Sequence, residues 1–348
     1  MELIEEKPAR AELQDKALAF AKVGIIFGLL SGFLWAWDGL LVELAHGYQP
    51  FNMDSAGLVF MVIAALCAGL HDFFAAIFVS AYNYKAGKLC EVGRSVVSKP
   101  GRIIILGSLI GASCGMGGYM AALQLVPAAY VMPITALYPG VAVVLAVIFL
   151  KESIKPLAWV GIAVCIVGAV VIGYTPSDAD SARTATFTLG IIFAIVATIG
   201  WGAEGVCVTS GMDFIDPVVA LNIRYIISSC FYICFLMACF LFVEFPIDAS
   251  ASMIVSSLMS SKGLLFMACA GVVGGITYVS WYRAMNMTGV SRAMALNISY
   301  ALWAIVLSAL FTEIDITMQL IFGAACIFVG SLFVIGNPKD MINLRNVD

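Results

Sequence analysis

The sequence predicts an all-α integral membrane protein, with ten transmembrane helices arranged as two inverted five-helix repeats. Three observations carry the prediction. Of the 348 residues, 62% are hydrophobic and 11% charged, whereas soluble domains carry about 25% charged residues; mean hydropathy is +1.02. Apolar runs of about 20 residues recur along the chain, each long enough to cross a bilayer as a helix. The chain also repeats itself: Trp35-Ala36-Trp37-Asp38-Gly39, in the first apolar run, returns as Trp201-Gly202-Ala203-Glu204-Gly205 in the sixth.

In chain order the spans fall at 22–45, 55–84, 102–123, 128–149, 156–174, 187–209, 217–243, 263–285, 291–311 and 317–335. The second and seventh are long enough to tilt or to extend beyond the lipid. Residues 1–21 form a charged N-terminal segment, in which Glu5, Glu6, Lys7, Arg10 and Glu12 leave no apolar core for a signal peptide. Basic residues concentrate on one side. With the N-terminus cytoplasmic, all 18 lysines and arginines fall inside except Arg183 and Lys262, which fall outside, and Arg224, which lies within the seventh span. The positive-inside rule therefore places both termini, including the tail 337–348, in the cytoplasm, with the spans in the plasma (inner) membrane. Of the ten cysteines, only Cys90 sits in a polar loop; the others lie in apolar runs and read as small packing residues. No Cys-x-x-Cys pair occurs, and two histidines cannot support a His-rich metal site. No metal or cofactor is expected.

The polar stretch Ser177–Thr186 joins two halves, 22–176 and 187–336. An odd number of spans per half turns the second half upside down relative to the first. Gly161 and Gly168 recur as Gly323 and Gly330, and Thr135 and Tyr138 as Asn297 and Tyr300, all at an offset of 162 residues. Lys151-Glu152, closing the fourth span, answers Thr312-Glu313, closing the ninth, with a one-residue slip. Such inverted repeats are the signature of secondary transporters.

These residues resemble a known family. The segment from Ala121 through Pro127 and Pro133 to Phe149-Leu150-Lys151-Glu152 is similar to the fourth-helix pattern of EamA-type members of the drug/metabolite transporter superfamily. There a short polar turn leads into a helix closed by a Gly-Glu or Lys-Glu pair. The Gly161-x6-Gly168 helix fits too, as does Arg224 early in the seventh span; the resemblance covers about residues 20–336. It implies ten helices in two EamA-type halves, with the fourth and ninth helices facing a central cavity. The family moves amino acids, drugs, nucleotide precursors and quaternary amines, so the resemblance leaves the substrate open. The chain departs from the pattern in its second span, which carries His71-Asp72 where its counterpart has Arg224.

An acid in mid-span is a functional-site hypothesis by default, because an ionised carboxylate in hydrocarbon is costly. Asp38 follows Trp35 by three residues and Glu204 follows Trp201 by three, so acid and indole share a helix face in each half. An indole face attracts a desolvated ammonium, and the acid supplies the counter-charge. The alternative reading makes the tryptophans interfacial anchors and the acids partners of helix ends. Trp37 points away from the Asp38 face and reads as packing. Thr135, Tyr138, Asn297 and Tyr300 are candidates for the cavity wall, or else buried side chains bonded to a neighbouring carbonyl. Tyr119 and Tyr278 complete the candidate substrate site, with further aromatic surface from Trp281, Tyr282 and Trp303. His71-Asp72 lies deep in the second span, where it relays protons, caps a tilt or lines a watery vestibule. Arg224 needs a partner and is expected near the cytoplasmic interface. Glu152 and Glu313 read as caps or loop anchors.

Gly111-Ala-Ser-Cys-Gly115 matches the Gly-x-Ser-x-Gly nucleophile pattern. Inside a hydrophobic span, however, small residues at four-residue spacing serve close helix packing. No zinc-protease, P-loop or dinucleotide motif occurs, which argues against an enzyme and against ATP coupling. The Asn297-Ile298-Ser299 sequon lies mid-span. The expected function is secondary active transport of a small organic solute, cationic or zwitterionic, such as a quaternary amine or an amino acid. The expected mechanism is proton-coupled alternating access, with Asp38, Glu204, His71 and Asp72 as candidate proton carriers. Proton and cation would compete for the acids, which makes antiport the default. The alternative is a carrier of a neutral or anionic metabolite, with the acids structural or proton-only and Arg224 or Arg283 at the cavity. A membrane-embedded enzyme or a channel is a remote alternative. The expected partners are the small-molecule substrate, protons and the lipid bilayer, with no nucleic acid, in a monomer or homodimer.

Overall fold

The computed structural model describes residues 6–53, 57–125, 135, 138–151, 155–173, 185–242, 250–311 and 318–335. Glu152, Glu313, linker residues 177–184 and the tail 337–348 lie outside the described residues. The regular elements described are helices: α1 (Glu6–His46), α2 (Gly57–Lys85), α3 (Leu89–Val97), α4 (Lys99–Ile110), α5 (Gly117–Leu125), α6 (Tyr138–Leu145) and α7 (Pro156–Gly173) in the first half. The second half holds α8 (Ala185–Met212), α9 (Pro217–Phe242), α10 (Ala251–Ser260), α11 (Lys262–Thr288), α12 (Val290–Asn297), α13 (Tyr300–Phe311) and α14 (Met318–Ile335). A π-helical stretch, Gly111–Met116, joins α4 to α5, and another, Ala146–Leu150, ends α6.

Ala19–His46, Val59–Lys85, Lys99–Ala122, Thr188–Met212, Pro217–Phe242 and Lys262–Thr288 are long and apolar enough to cross a membrane. They are the first, second, third, sixth, seventh and eighth spans read from the sequence. The fifth and tenth are α7 and α14, 18 residues each, or about 27 Å at 1.5 Å per residue. Phe149, Phe242, Leu310 and Met318 are all more than half exposed, which fits side chains that face lipid tails. Cys230, Cys234 and Cys269 are also exposed rather than packed.

Two features depart from the expected spans. The ninth is not one continuous helix: it breaks at Ile298–Ser299 between α12 and α13. No glycine or proline marks the break. Gly32 of α1 lies in it so closely that an added Cβ would meet Ser299 Oγ, the Asn297 carbonyl and Tyr300 N. The second departure is a short helix before the third span of each half, α3 and α10; Cys90 therefore lies in a helix and not in a loop. A serine caps the helix that follows in both halves. Ser98 Oγ accepts from Gly101 N at 3.1 Å, and Ser261 Oγ accepts from Gly263 N at 2.9 Å.

Packing repeats with the halves exchanged. α1 lies on α11 as α4–α5 lie on α8; α1 meets α13 as α8 meets α6; α2 pairs with α9, and α7 with α14. Gly330 of α14 rests on the Gly161 carbonyl and Cys165 of α7. Directions follow from the close contacts. Gly24 abuts Met287 while Gly274 abuts Asp38, so α1 and α11 are antiparallel; Gly271 abuts His71 and Gly275 abuts Phe78, so α2 and α11 run together. Asn83 reaches Val218, and Asn222 reaches Ser80, so α9 opposes α2. The equivalent second helices, α2 and α9, therefore run in opposite senses, and so do the first helices, α1 and α8, since α8 turns back into α9 over Asp213–Asp216; this is the inversion the odd span number demanded.

Candidate functional site

The centre of the bundle holds a small cavity of about 30 Å³. Five aromatic side chains close a ring around it. Trp35 meets Trp201 (centroids 6.1 Å apart), Trp201 meets Tyr138 (6.2 Å), Tyr138 meets Trp281 (6.5 Å), Trp281 meets Tyr278 (5.2 Å), and Tyr278 returns to Trp35 (5.7 Å). Every pair is edge to face, the geometry that aligns the positive rim of one ring with the negative face of the next. Tyr300, Thr277 and Asn297 complete the lining, and none of the lining residues is charged. The polar groups are tied back. The Tyr138 hydroxyl donates to Asn297 Oδ1 at 2.6 Å, and Asn297 Nδ2 donates to Ser31 Oγ at 3.0 Å. Thr135 is buried and hydrogen-bonds Tyr300. The indole N–H of Trp281 is buried without a hydrogen-bond partner among the described residues.

The acids are elsewhere. Asp38 and Glu204 are buried at the two ends of one continuous chain of charges. Asp38 Oδ1 lies 3.1 Å from His71 Nε2, and His71 Nδ1 lies 2.9 Å from Asp72 Oδ1. Arg224 NH1 donates to Asp72 Oδ2 and Arg224 Nε to Glu204 Oε1, both at 2.9 Å. Ser228 Oγ adds a short hydrogen bond to Asp72 Oδ2. The guanidinium also lies over the rings of Tyr225 (4.6 Å) and Tyr278 (4.7 Å). Tyr278 thus touches the charge chain with one face and belongs to the aromatic ring as well. Pairing and hydrogen bonding are what make such charges tolerable in a membrane interior.

Glycines make room for these groups. An added Cβ at Gly111 would run into the Glu204 carboxylate, and one at Gly115 would lie 2.6 Å from the Trp201 ring. Both belong to the π-helical stretch, so the Gly-Ala-Ser-Cys-Gly segment is used for close packing. In the other half, a Cβ at Gly274 would lie 2.7 Å from His71 Cε1 and 3.3 Å from Asp38 Oδ1. Each acid therefore rests on a glycine of the third helix of the opposite half.

Of the residues singled out in the sequence, Trp35, Tyr138, Trp201, Tyr278, Asn297 and Tyr300 line the cavity. Asp38, Glu204 and Thr135 stand outside the lining, and Tyr119 packs behind Trp201 with centroids 5.2 Å apart. Trp37 packs on Phe311. Arg224 is not interfacial as expected: it is fully buried and bridges Asp72 to Glu204, since only there do two carboxylates repay its desolvation. Arg283 lies outside the cavity with NH2 donating to Tyr82 OH at 3.0 Å. Thr277 and Ser228 were missed; single hydroxyls in apolar runs carry no periodic signal. Among the described residues no cluster of His, Cys, Asp and Glu is arranged to hold a metal ion.

One end of the bundle is latched. Lys88 Nζ donates to Asp216 Oδ2 at 2.7 Å across the halves, and Asp216 Oδ1 accepts from Val218 N, capping α9. Burial alone would raise the Asp216 carboxyl, but Lys88 and the backbone N–H groups outweigh it and hold it below the usual carboxylate range. Its carboxylate in turn holds the Lys88 ammonium above its ordinary range.

A model of the EamA-like transporter family matches residues 22–174 and again residues 188–336. The chain is similar to Protein LicB of Haemophilus influenzae (strain ATCC 51907 / DSM 11121 / KW20 / Rd), at 26% identity over 285 residues, 81% of this chain and 87% of that one. It also superposes on a solved chain, described only as a crystal structure of protein, with a TM-score of 0.64 at 17% identity. That match covers 90% of this chain and 96% of the other, and it is a likeness of fold.

Proposed function

The chain belongs to the EamA-like transporter family, and on that premise we propose that it is a secondary active transporter of a small cationic or zwitterionic solute, in chemical class a quaternary amine or an amino acid. Membership makes it a multi-pass membrane transporter of the drug/metabolite type. The solute class rests on the cavity. Five aromatic side chains closed into a ring form a box for an ammonium group, a cation–π contact being worth about 2 kcal/mol once water is excluded. Behind the box, three carboxylates face one guanidinium and one imidazole, which favours a cation over an anion. Arg224 and Arg283, the bases that an anion carrier would use, do not line the cavity. The Trp281 indole N–H offers a donor to an acceptor on the solute.

In this reading the halves 22–176 and 187–336 rock about the box, exposing it to each side in turn, with protons exchanged at the buried acid–histidine chain. Both termini lie in the cytoplasm, and the Lys88–Asp216 latch closes that end. The experiment is solute flux in proteoliposomes under a proton gradient, screened over quaternary amines, amino acids and neutral polar metabolites. Competition by ammonium-bearing compounds is the expected result. Transport that such compounds never inhibit would remove the cation reading.

A further inference from the structure

The His71 ring is held at both nitrogens by carboxylates, Nε2 by Asp38 and Nδ1 by Asp72. At 3.1 and 2.9 Å each contact is a hydrogen bond, and each needs a proton. A neutral imidazole has one N–H and an ionised carboxylate has none, so the three groups together hold two protons. Asp72 does not keep one, because the Arg224 guanidinium is ion-paired with its other oxygen, which also accepts from Ser228, and a paired cation favours the ionised carboxylate. Among the described residues Asp38 has no hydrogen-bond partner except His71. The second proton therefore belongs to the Asp38–His71 link, and between two carboxylates it rests on the ring as imidazolium.

The other ionisable groups near the ring come from three packed helices. α9 contributes Arg224 and the phenols of Tyr225 and Tyr232, α11 contributes Tyr278, and α8 contributes Glu204 through Arg224. α11 otherwise presents the bare backbone of Gly271 and Gly274. The arginine is the one fixed cation in the group, and it is engaged by two carboxylates.

We infer that His71 carries the coupled proton and that this proton fastens α1 to α2. The inference rests on the proton-coupled reading above and gives that proton its address. With the proton in place, Asp38 is bound to His71. Without it, a carboxylate oxygen and a bare ring nitrogen face each other at hydrogen-bond distance and repel, which frees α1 at that point. Trp35, one turn from Asp38, is a wall of the box and moves with α1. Charge balance sets the direction of coupling. Loss of the proton to water makes the chain one unit more negative, and a monovalent ammonium in the box restores the balance. Solute and proton then oppose each other's binding, as linkage requires of an exchanger.

The chain has only two histidines, His46 and His71, so the ring can be read directly. Nitrogen-15 histidine spectra of the protein in lipid nanodiscs, with His46→Asn to assign the signals, are expected to show His71 protonated on both nitrogens at neutral pH. In Asp38→Asn one of those protons is expected to be lost. A singly protonated His71 at neutral pH in the wild type overturns the inference. In proteoliposomes, His71→Gln is expected to retain solute counterflow but to lose proton-driven accumulation and its pH dependence; retention of both refutes the assignment. Failure of every ammonium compound to quench the tryptophan fluorescence of the wild type would sink the solute reading while leaving the histidine result standing.

Discussion

The indoles of Trp35 and Trp201, one from each half of the chain, meet edge to face with centroids 6.1 Å apart. They occupy equivalent places in equivalent helices that run in opposite senses, so their contact lies where the two repeats meet. An aromatic pair at that point gives a two-fold carrier one wall from each half. The acids that follow them, Asp38 and Glu204, are joined through His71, Asp72 and Arg224 into a second connection between the halves.

Removing one wall should weaken the box without unfolding the bundle. Trp35→Ala is expected to raise the Kd for an ammonium solute about tenfold, the equivalent of roughly 1.4 kcal/mol and within the range of one desolvated cation–π contact. Trp35→Phe should recover part of the loss. Equilibrium binding to purified protein measures both.

Arg224 compensates two buried carboxylates, so its loss is a matter of stability as much as of transport. Arg224→Leu removes the cation that bridges Asp72 and Glu204, and breaking a buried pair in this way costs about 3–5 kcal/mol. Folded yield and melting temperature in detergent should fall sharply. The triple variant that also carries Asp72→Asn and Glu204→Gln should regain much of the stability and none of the proton coupling.

Gly111 is predicted to tolerate no side chain. A Cβ there would run into the Glu204 carboxylate, so Gly111→Val must dislodge that carboxylate from Arg224 or push α4–α5 away from α8. Overpacking of this kind costs about 1–3 kcal/mol, and thermal unfolding should register it. Gly93, mid-helix in α3 with open space around it, is the control: Gly93→Ala should not lower the melting temperature and should raise it slightly, because alanine favours a helix over glycine by about 0.5–1 kcal/mol.

The Lys88–Asp216 latch gives a pH prediction outside the membrane. A carboxyl held below its ordinary value, about 3.9 for aspartate, contributes stability above that range and loses it as pH falls through the folded value. The melting-temperature difference between wild type and Asp216→Asn should be positive at neutral pH and should shrink below about pH 4. The paired side chains are 36% and 32% exposed, so solvent screening limits the contribution to about 1 kcal/mol at most.

What the sequence determined by itself is the membrane class, the apolar spans and the pairing of the halves, including Trp35 with Trp201 and Asp38 with Glu204. Hydropathy and a repeated pattern are properties of the chain alone. Helical spacing could also say that Trp35 and Asp38 share a face. It could not say what that face meets, because a helix face is wide enough to touch more than one neighbour. Tertiary packing turned Trp35 toward the cavity and Asp38 toward His71 on α2. It gave Arg224 its two carboxylates in place of an interface, and it broke the ninth span at Ile298–Ser299 without a glycine or proline to announce it. Each of these depends on partners far away in sequence, and burying a charge is possible only where such a partner arrives.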